Sequence, residues 1–127
     1  MKSVCIIDDD SIYLMLARRL INMHKLSDSI IEYTDGREAF NELKGLLDSG
    51  SKLPDVIFLD VNMPIWDGWD FLDEFVKLNL SQYPEVYIVT SSTHSFDRDK
   101  AATYVQVKRC IVKPIELADL QSILGES

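Results

Sequence analysis

The sequence predicts an α/β domain in which a parallel sheet is covered by helices on both faces. Five short apolar runs recur along the chain, and stretches with helical apolar spacing alternate with them. Parallel neighbours need crossover connections of that kind, and those are right-handed. The run Val56-Ile57-Phe58-Leu59, bounded by Pro54-Asp55 and by Asn62-Met63-Pro64, reads as a strand buried on both faces, with Asp60 emerging at its carboxyl end. In a parallel sheet that end is where ligands bind, because side chains leave the core there while loops still fold over them.

In chain order, Val4-Cys5-Ile6-Ile7 is the first buried run, cut off by Asp8-Asp9-Asp10. Ile12, Met15, Leu16, Arg19, Leu20 and Met23 then recur at helical spacing, and Ser11 or Asp10 can cap that helix. Met15 and Met23 are read as its packing. Ile30-Ile31-Glu32-Tyr33 mixes polar with apolar and suits an outer strand. Asp35 to Glu38 has capping-box spacing, with Ala39, Phe40, Leu43, Leu46 and Leu47 forming one stripe and Gly50 beyond its end.

After the central strand, a helix is predicted from Gly68 to about Leu80 through Phe71, Leu72, Phe75 and Val76. Val86-Tyr87-Ile88-Val89 is the next strand, ended by Thr90-Ser91-Ser92. A weaker helix follows from about Ser95 or Asp97 to Val105, resting on Ala101, Ala102, Tyr104 and Val105. Cys110-Ile111-Val112 is the last strand and stops at Lys113-Pro114. Glu116 to Leu124 closes the fold, with Leu117, Leu120 and Leu124 on one side. One domain over residues 1–127 is expected, without repeats, linkers or low-complexity tracts.

The 21 acidic residues outnumber 13 basic ones and give a formal net charge of -8. That balance opposes a phosphate-backbone footprint, so no direct nucleic-acid partner is expected. Met1-Lys2-Ser3 leads into four apolar residues, too few for a signal peptide, and no run approaches a membrane span. A cytoplasmic protein without membrane contact is the expectation.

The chemistry lies in the residues that end the strands: Asp8 and Asp9 on the first, Asp60 on the third, Thr90 on the fourth and Lys113 on the fifth. All should open onto one rim. Two carboxylates about 6 Å apart repel by roughly 3 kcal/mol at an effective dielectric near 20, so three together call for a cation. Hard oxygen ligands suit Mg2+ beside a phosphate, while Lys113 adds a mobile positive charge and Thr90 a donor. The arrangement suits phosphoryl transfer onto Asp60, a reaction governed by positioning and charge neutralisation.

Ile7-Asp8-Asp9-Asp10, Leu59-Asp60-Val61-Asn62-Met63-Pro64 with Asp67-Gly68, Thr90-Ser91-Ser92 and Val112-Lys113-Pro114 stand in a familiar order. Over nearly its whole length the chain resembles the receiver domain of two-component response regulators, including its single-domain members. The resemblance implies a flavodoxin-like, five-stranded parallel sheet in the order 2-1-3-4-5; from the length of 127 residues no output domain is expected. It implies that Asp60 takes a phosphoryl group from a sensor histidine kinase or a histidine phosphotransfer protein. Asp9, Asp60 and the backbone carbonyl of Asn62 would bind Mg2+, with Asp8 acting through a water. Lys113 would pair with the phosphoryl oxygens, Thr90 would move inward to hydrogen-bond them, and the Lys113-Pro114 bond would be cis. The fourth helix, last strand and last helix would meet a downstream protein. Asn62 and Ser92 occupy places that tune dephosphorylation in that family.

Two features depart from the family. Cys110 stands where an aromatic ring is usual, so either another residue fills the space or activation is read through helix displacement. Val105 to Arg109 also lacks the small residues common there. In the family's strand order the first and last strands lie three positions apart, about 14 Å, so Cys5 and Cys110 should be free thiols.

Other readings differ at single positions. Asp10 suits an ordinary helix start better than Asp8 or Asp9 does. Flavodoxin-like cofactor binders need a small or glycine-rich loop after the first strand, where this chain has three aspartates. A dehalogenase-type phosphatase would carry an acid/base aspartate two residues after its nucleophile, where this chain has Asn62. An interaction module that is never phosphorylated would have no use for Asp9, Asp60, Thr90 and Lys113 together. Trp69 is read as packing and Trp66 as a neighbour of the metal. His24 and His94 are isolated, without ligand spacing.

Overall fold

The computed structural model describes residues 1–91 and 95–125; Ser92 and His94 lie outside the described residues. The elements are β1 (Val4–Ile7), α1 (Ser11–Met23), β2 (Ile30–Tyr33), α2 (Gly36–Asp48), β3 (Val56–Leu59), α3 (Gly68–Phe75), β4 (Glu85–Thr90), α4 (Ser95–Ala101), β5 (Val107–Val112) and α5 (Leu117–Leu124). All strand pairs are parallel and the sheet order is β2-β1-β3-β4-β5, as the resemblance implies.

Strand alternation divides the core into two layers. Val4 and Ile6 of β1 and Val56 and Phe58 of β3 face Tyr13, Leu14, Ala17 and Ile21 of α1 and Leu120, Ile123 and Leu124 of α5. Cys5, Ile7, Ile57 and Leu59 face Ala39 and Leu43 of α2, Phe71, Leu72 and Phe75 of α3, and Ala101 of α4. Because both faces are covered, β1 and β3 are buried throughout. Each such large side chain stabilises the fold by about 1.5–3 kcal/mol relative to exposure.

Helix starts follow local chemistry. Asp10 caps α1 by accepting from the amides of Ile12 and Tyr13, Asp35 caps α2 by accepting from Glu38 N, and Asp67 with Asp70 forms a reciprocal box at α3. Gly50, past the end of α2, has φ 77°, a conformation glycine adopts without steric cost.

Several expectations need correction. The inward face of α1 is Tyr13, Leu14, Ala17 and Ile21, whereas Ile12, Met15, Leu16 and Met23 are exposed. Two apolar stripes run along this helix, and the sheet takes the one through Leu14, Ala17 and Ile21, so Met15 and Met23 are not core packing. The helix expected to reach Leu80 ends as α-helix at Phe75; a 3₁₀ turn covers Val76–Leu78, and Asn79 takes φ 60°. α4 stops at Ala101, because the Lys100 and Ala101 carbonyls accept from Thr103 N and Tyr104 N and close the turn. Val105 is consequently 81% exposed, and β5 begins at Val107, three residues before the expected start.

Cys110 and Tyr104 both rest on the α2–α3–α4 side of the core. The Tyr104 ring stacks on Trp69 at 5.9 Å, and its hydroxyl donates to Asp73 Oδ1 at 2.6 Å. Both cysteines are free thiols.

Candidate functional site

Four strand ends meet on the carboxyl rim of the sheet, and the sheet's own hydrogen bonds fix their positions. Asp60 N donates to Ile7 O (2.9 Å), Asp8 N to Tyr33 O (3.0 Å) and Lys113 N to Thr90 O (2.8 Å). Leu59 is in register with Ile7 and Ile88, and Thr90 with Val112, so each ladder ends beside its neighbour.

Asp8, Asp9 and Asp60 each offer a carboxylate oxygen, and these oxygens lie within 4.8 Å of one another. Asp8 and Asp60 are buried, and Asp9 is exposed. Lys113 Nζ lies 2.8 Å from Asp8 Oδ2 and 3.8 Å from Asp60 Oδ2. Asp8 Oδ1 accepts from Asp10 N at 2.9 Å, and Asp60 Oδ1 from Asn62 N at a long 3.4 Å. Asp8 Oδ2 is buried against the Lys113 ammonium at 2.8 Å. Thr90 is wholly buried at the end of β4.

The electrostatics are those of crowded anions. Burial, reinforced by the charge of Asp8, pushes the Asp60 carboxyl up to about 6, against the opposing pull of Lys113 and Asn62 N. Burial also raises Asp8, while Lys113 and the Asp10 amide hold it down. Charges 4.8 Å apart repel by about 3.5 kcal/mol at an effective dielectric near 20. One ammonium does not neutralise three carboxylates, and carboxylate oxygens this close together suit a hard cation. The donor set therefore fits Mg2+.

The loop after β3 is held tightly. Gly68 N donates to Val61 O at 3.1 Å, and a Cβ on Gly68 would lie 2.5 Å from the Asp60 carbonyl oxygen and 2.8 Å from Val61 Cα. Ile65, at φ 67°, is 64% exposed; a β-branched residue rarely takes that conformation. Gly36 N donates to the Trp66 carbonyl, and the Trp66 ring packs on Phe40 of α2 at 5.6 Å. Trp69 is buried, as read from the sequence. The Lys113-Pro114 bond is cis.

The structure thus brings together Asp8, Asp9, Asp60 and Lys113, with Thr90 at the adjoining strand end. Sequence reasoning missed Tyr13, whose ring centre lies 4.6 Å from Lys113 Nζ. The available signal was an aromatic residue in the first turn of the helix that starts beside the acidic pair.

Comparison with known proteins agrees with this fold. The response regulator receiver domain family matches residues 4–125. A sensor histidine kinase, CheAY of Helicobacter pylori, is 34% identical over 95 residues, which is 75% of this chain and 11% of that protein. The probable methanogenesis regulatory protein FilR2 of Methanothrix harundinacea is 24% identical over 123 residues, 97% of this chain and 79% of that protein. The crystal structure of a two component response regulator from Cytophaga hutchinsonii superposes with a TM-score of 0.82 at 31% identity, covering 95% of this chain and 92% of that one.

Proposed function

The chain belongs to the response regulator receiver domain family, and from that premise we propose that it accepts a phosphoryl group on Asp60 from a phosphohistidine. The observation that carries this reading is the three carboxylate oxygens within 4.8 Å of one another and the Lys113 ammonium among them. An Asp60 carboxylate oxygen attacks phosphorus, the bond from phosphorus to the imidazole nitrogen breaks, and the imidazole leaves. Water later cleaves the acyl phosphate, returning the carboxylate and inorganic phosphate. Even raised to about 6, the Asp60 carboxyl is mostly ionised at neutral pH and able to attack.

Asp9, Asp60 and the Asn62 carbonyl would hold Mg2+, with Asp8 acting through a water. When bound, that ion supplies charge neutralisation for the phosphoryl oxygens. Lys113 carries the second positive charge and turns from Asp8 toward the new phosphoryl group. Thr90 supplies its hydroxyl as a donor.

The donor is read as a sensor histidine kinase or a histidine phosphotransfer protein. It must cover the rim to deliver its histidine, and Ile12 and Ile65 stand exposed there as apolar contacts. Output is read as passing through another protein at α4, β5 and α5, where Phe96, Val105 and Val112 are exposed. Action in the cytoplasm is part of the same reading. No helix among the described residues is long and apolar enough to cross a membrane.

Acetyl phosphate with Mg2+ is the test. The wild type should gain one acid-stable, base-labile phosphoryl group by mass spectrometry, and Asp60→Asn none. Equal labelling of both would overturn the assignment. Turnover of a general phosphomonoester should stay near background, whereas rapid multiple turnover would make the chain a phosphatase.

A further inference from the structure

We propose that Tyr13 is a positioning residue for Lys113, its ring forming a neutral seat on which the ammonium turns between Asp8 and the phosphoryl group on Asp60. The inference rests on the role given to Lys113 above. Lysine has a flexible stem whose freedom must be removed before its charge can be aimed. Here the Lys113 side chain is only 15% exposed. Its ammonium has Asp8 at 2.8 Å, Asp60 at 3.8 Å and the Tyr13 ring centre at 4.6 Å.

The ring is fixed from the acidic loop itself. Asp10, next to the carboxylate pair, accepts from the amide of Tyr13 at 3.2 Å and from that of Ile12 at 3.0 Å. Tyr13 is 7% exposed and lies in the same core layer as Ile115 and Leu120. It also lines a cavity of about 200 Å³ with Pro114 and Ile115, the residues that follow Lys113. One aromatic side chain therefore lies under the lysine's ammonium and shares a cavity with the two residues that follow it.

A carboxylate in the ring's place would hold the ammonium in one geometry and add a fourth negative charge. A ring face attracts a cation over a broad patch and adds no net charge, so Lys113 can swing from one oxygen to another without leaving its support.

Acetyl phosphate labelling of the intact chain tests this, with Mg2+ affinity measured alongside by calorimetry. Tyr13→Leu should slow labelling about five- to thirtyfold, the range of a desolvated cation–ring contact, and change Mg2+ affinity by less than about threefold, since the ring touches the lysine. Tyr13→Phe should restore the wild-type rate. In a Lys113→Met background, Tyr13→Leu should slow labelling no further. A wild-type rate in Tyr13→Leu would overturn the proposal, as would equal slowing with and without Lys113, or a Tyr13→Phe variant as slow as the leucine. If Lys113→Met itself labels at the wild-type rate, the reading of Lys113 falls and takes this one with it. Should Tyr13→Leu fail to fold, pentafluorophenylalanine at position 13 keeps the ring's shape and withdraws its electrons. Slow labelling then supports the seat, and a phenylalanine-like rate removes it.

Discussion

Lys113 Nζ sits closer to Asp8 than to Asp60, 2.8 Å against 3.8 Å, although Asp60 is the residue assigned the chemistry. The shorter of the two resting ion pairs is therefore made with the carboxylate that does not react, and Asp60 holds the longer one.

Lys113→Met should leave Asp8 buried and unpaired. In the absence of divalent ions it should lower unfolding free energy by about 2–4 kcal/mol, read by urea denaturation. Mg2+ affinity should rise by about tenfold, because the ion then faces three carboxylates without a competing ammonium.

Asp60→Asn should stabilise the metal-free protein at neutral pH. The folded chain holds the Asp60 proton up to a pH of about 6, whereas the unfolded chain loses it near 3.9. A group raised in this way adds stability at low pH and loses it as pH rises through the folded value. The amide removes that loss, so the variant should exceed the wild type by about 1–2 kcal/mol at pH 7.5, after discounting for solvent at the rim. The gap should close below about pH 4, as followed by thermal melts in EDTA.

Asp9→Asn separates metal binding from folding. Asp9 is exposed and belongs to the cluster of three. Stability without metal should move by no more than about 0.5 kcal/mol, while Mg2+ affinity falls by about ten- to a hundredfold on losing one charged ligand. Calorimetric titration reads both.

The phase of α1 can be tested with two leucines. Leu14 is 7% exposed and Leu16 49%. Leu14→Ala should cost about 2–4 kcal/mol and Leu16→Ala under about 1, measured by denaturant midpoint.

The sheet and the rim were legible because buried parallel strands are short, uniformly apolar and punctuated by the residues that matter. Asp8, Asp9, Asp60 and Lys113 each follow such a run, and the ladder then forces them together. Helix phase was harder to read. In α1, Ile12, Met15, Leu16 and Met23 form as good a stripe as Tyr13, Leu14, Ala17 and Ile21, and spacing alone does not say which one the sheet covers. Helix ends were set by turns, at Asn79 and around Thr103, whose residues carry no strong breaker signal. Tyr13 escaped notice because its importance comes from Lys113, one hundred positions further along the chain.

Gly68 has one more consequence. With bare backbone lying flush on the carbonyl of Asp60, α3 and the acceptor strand are butted end to end with no cushion between them. A displacement of the acceptor's main chain is felt at once by the first turn of that helix, and a methyl group at this joint would act as a wedge.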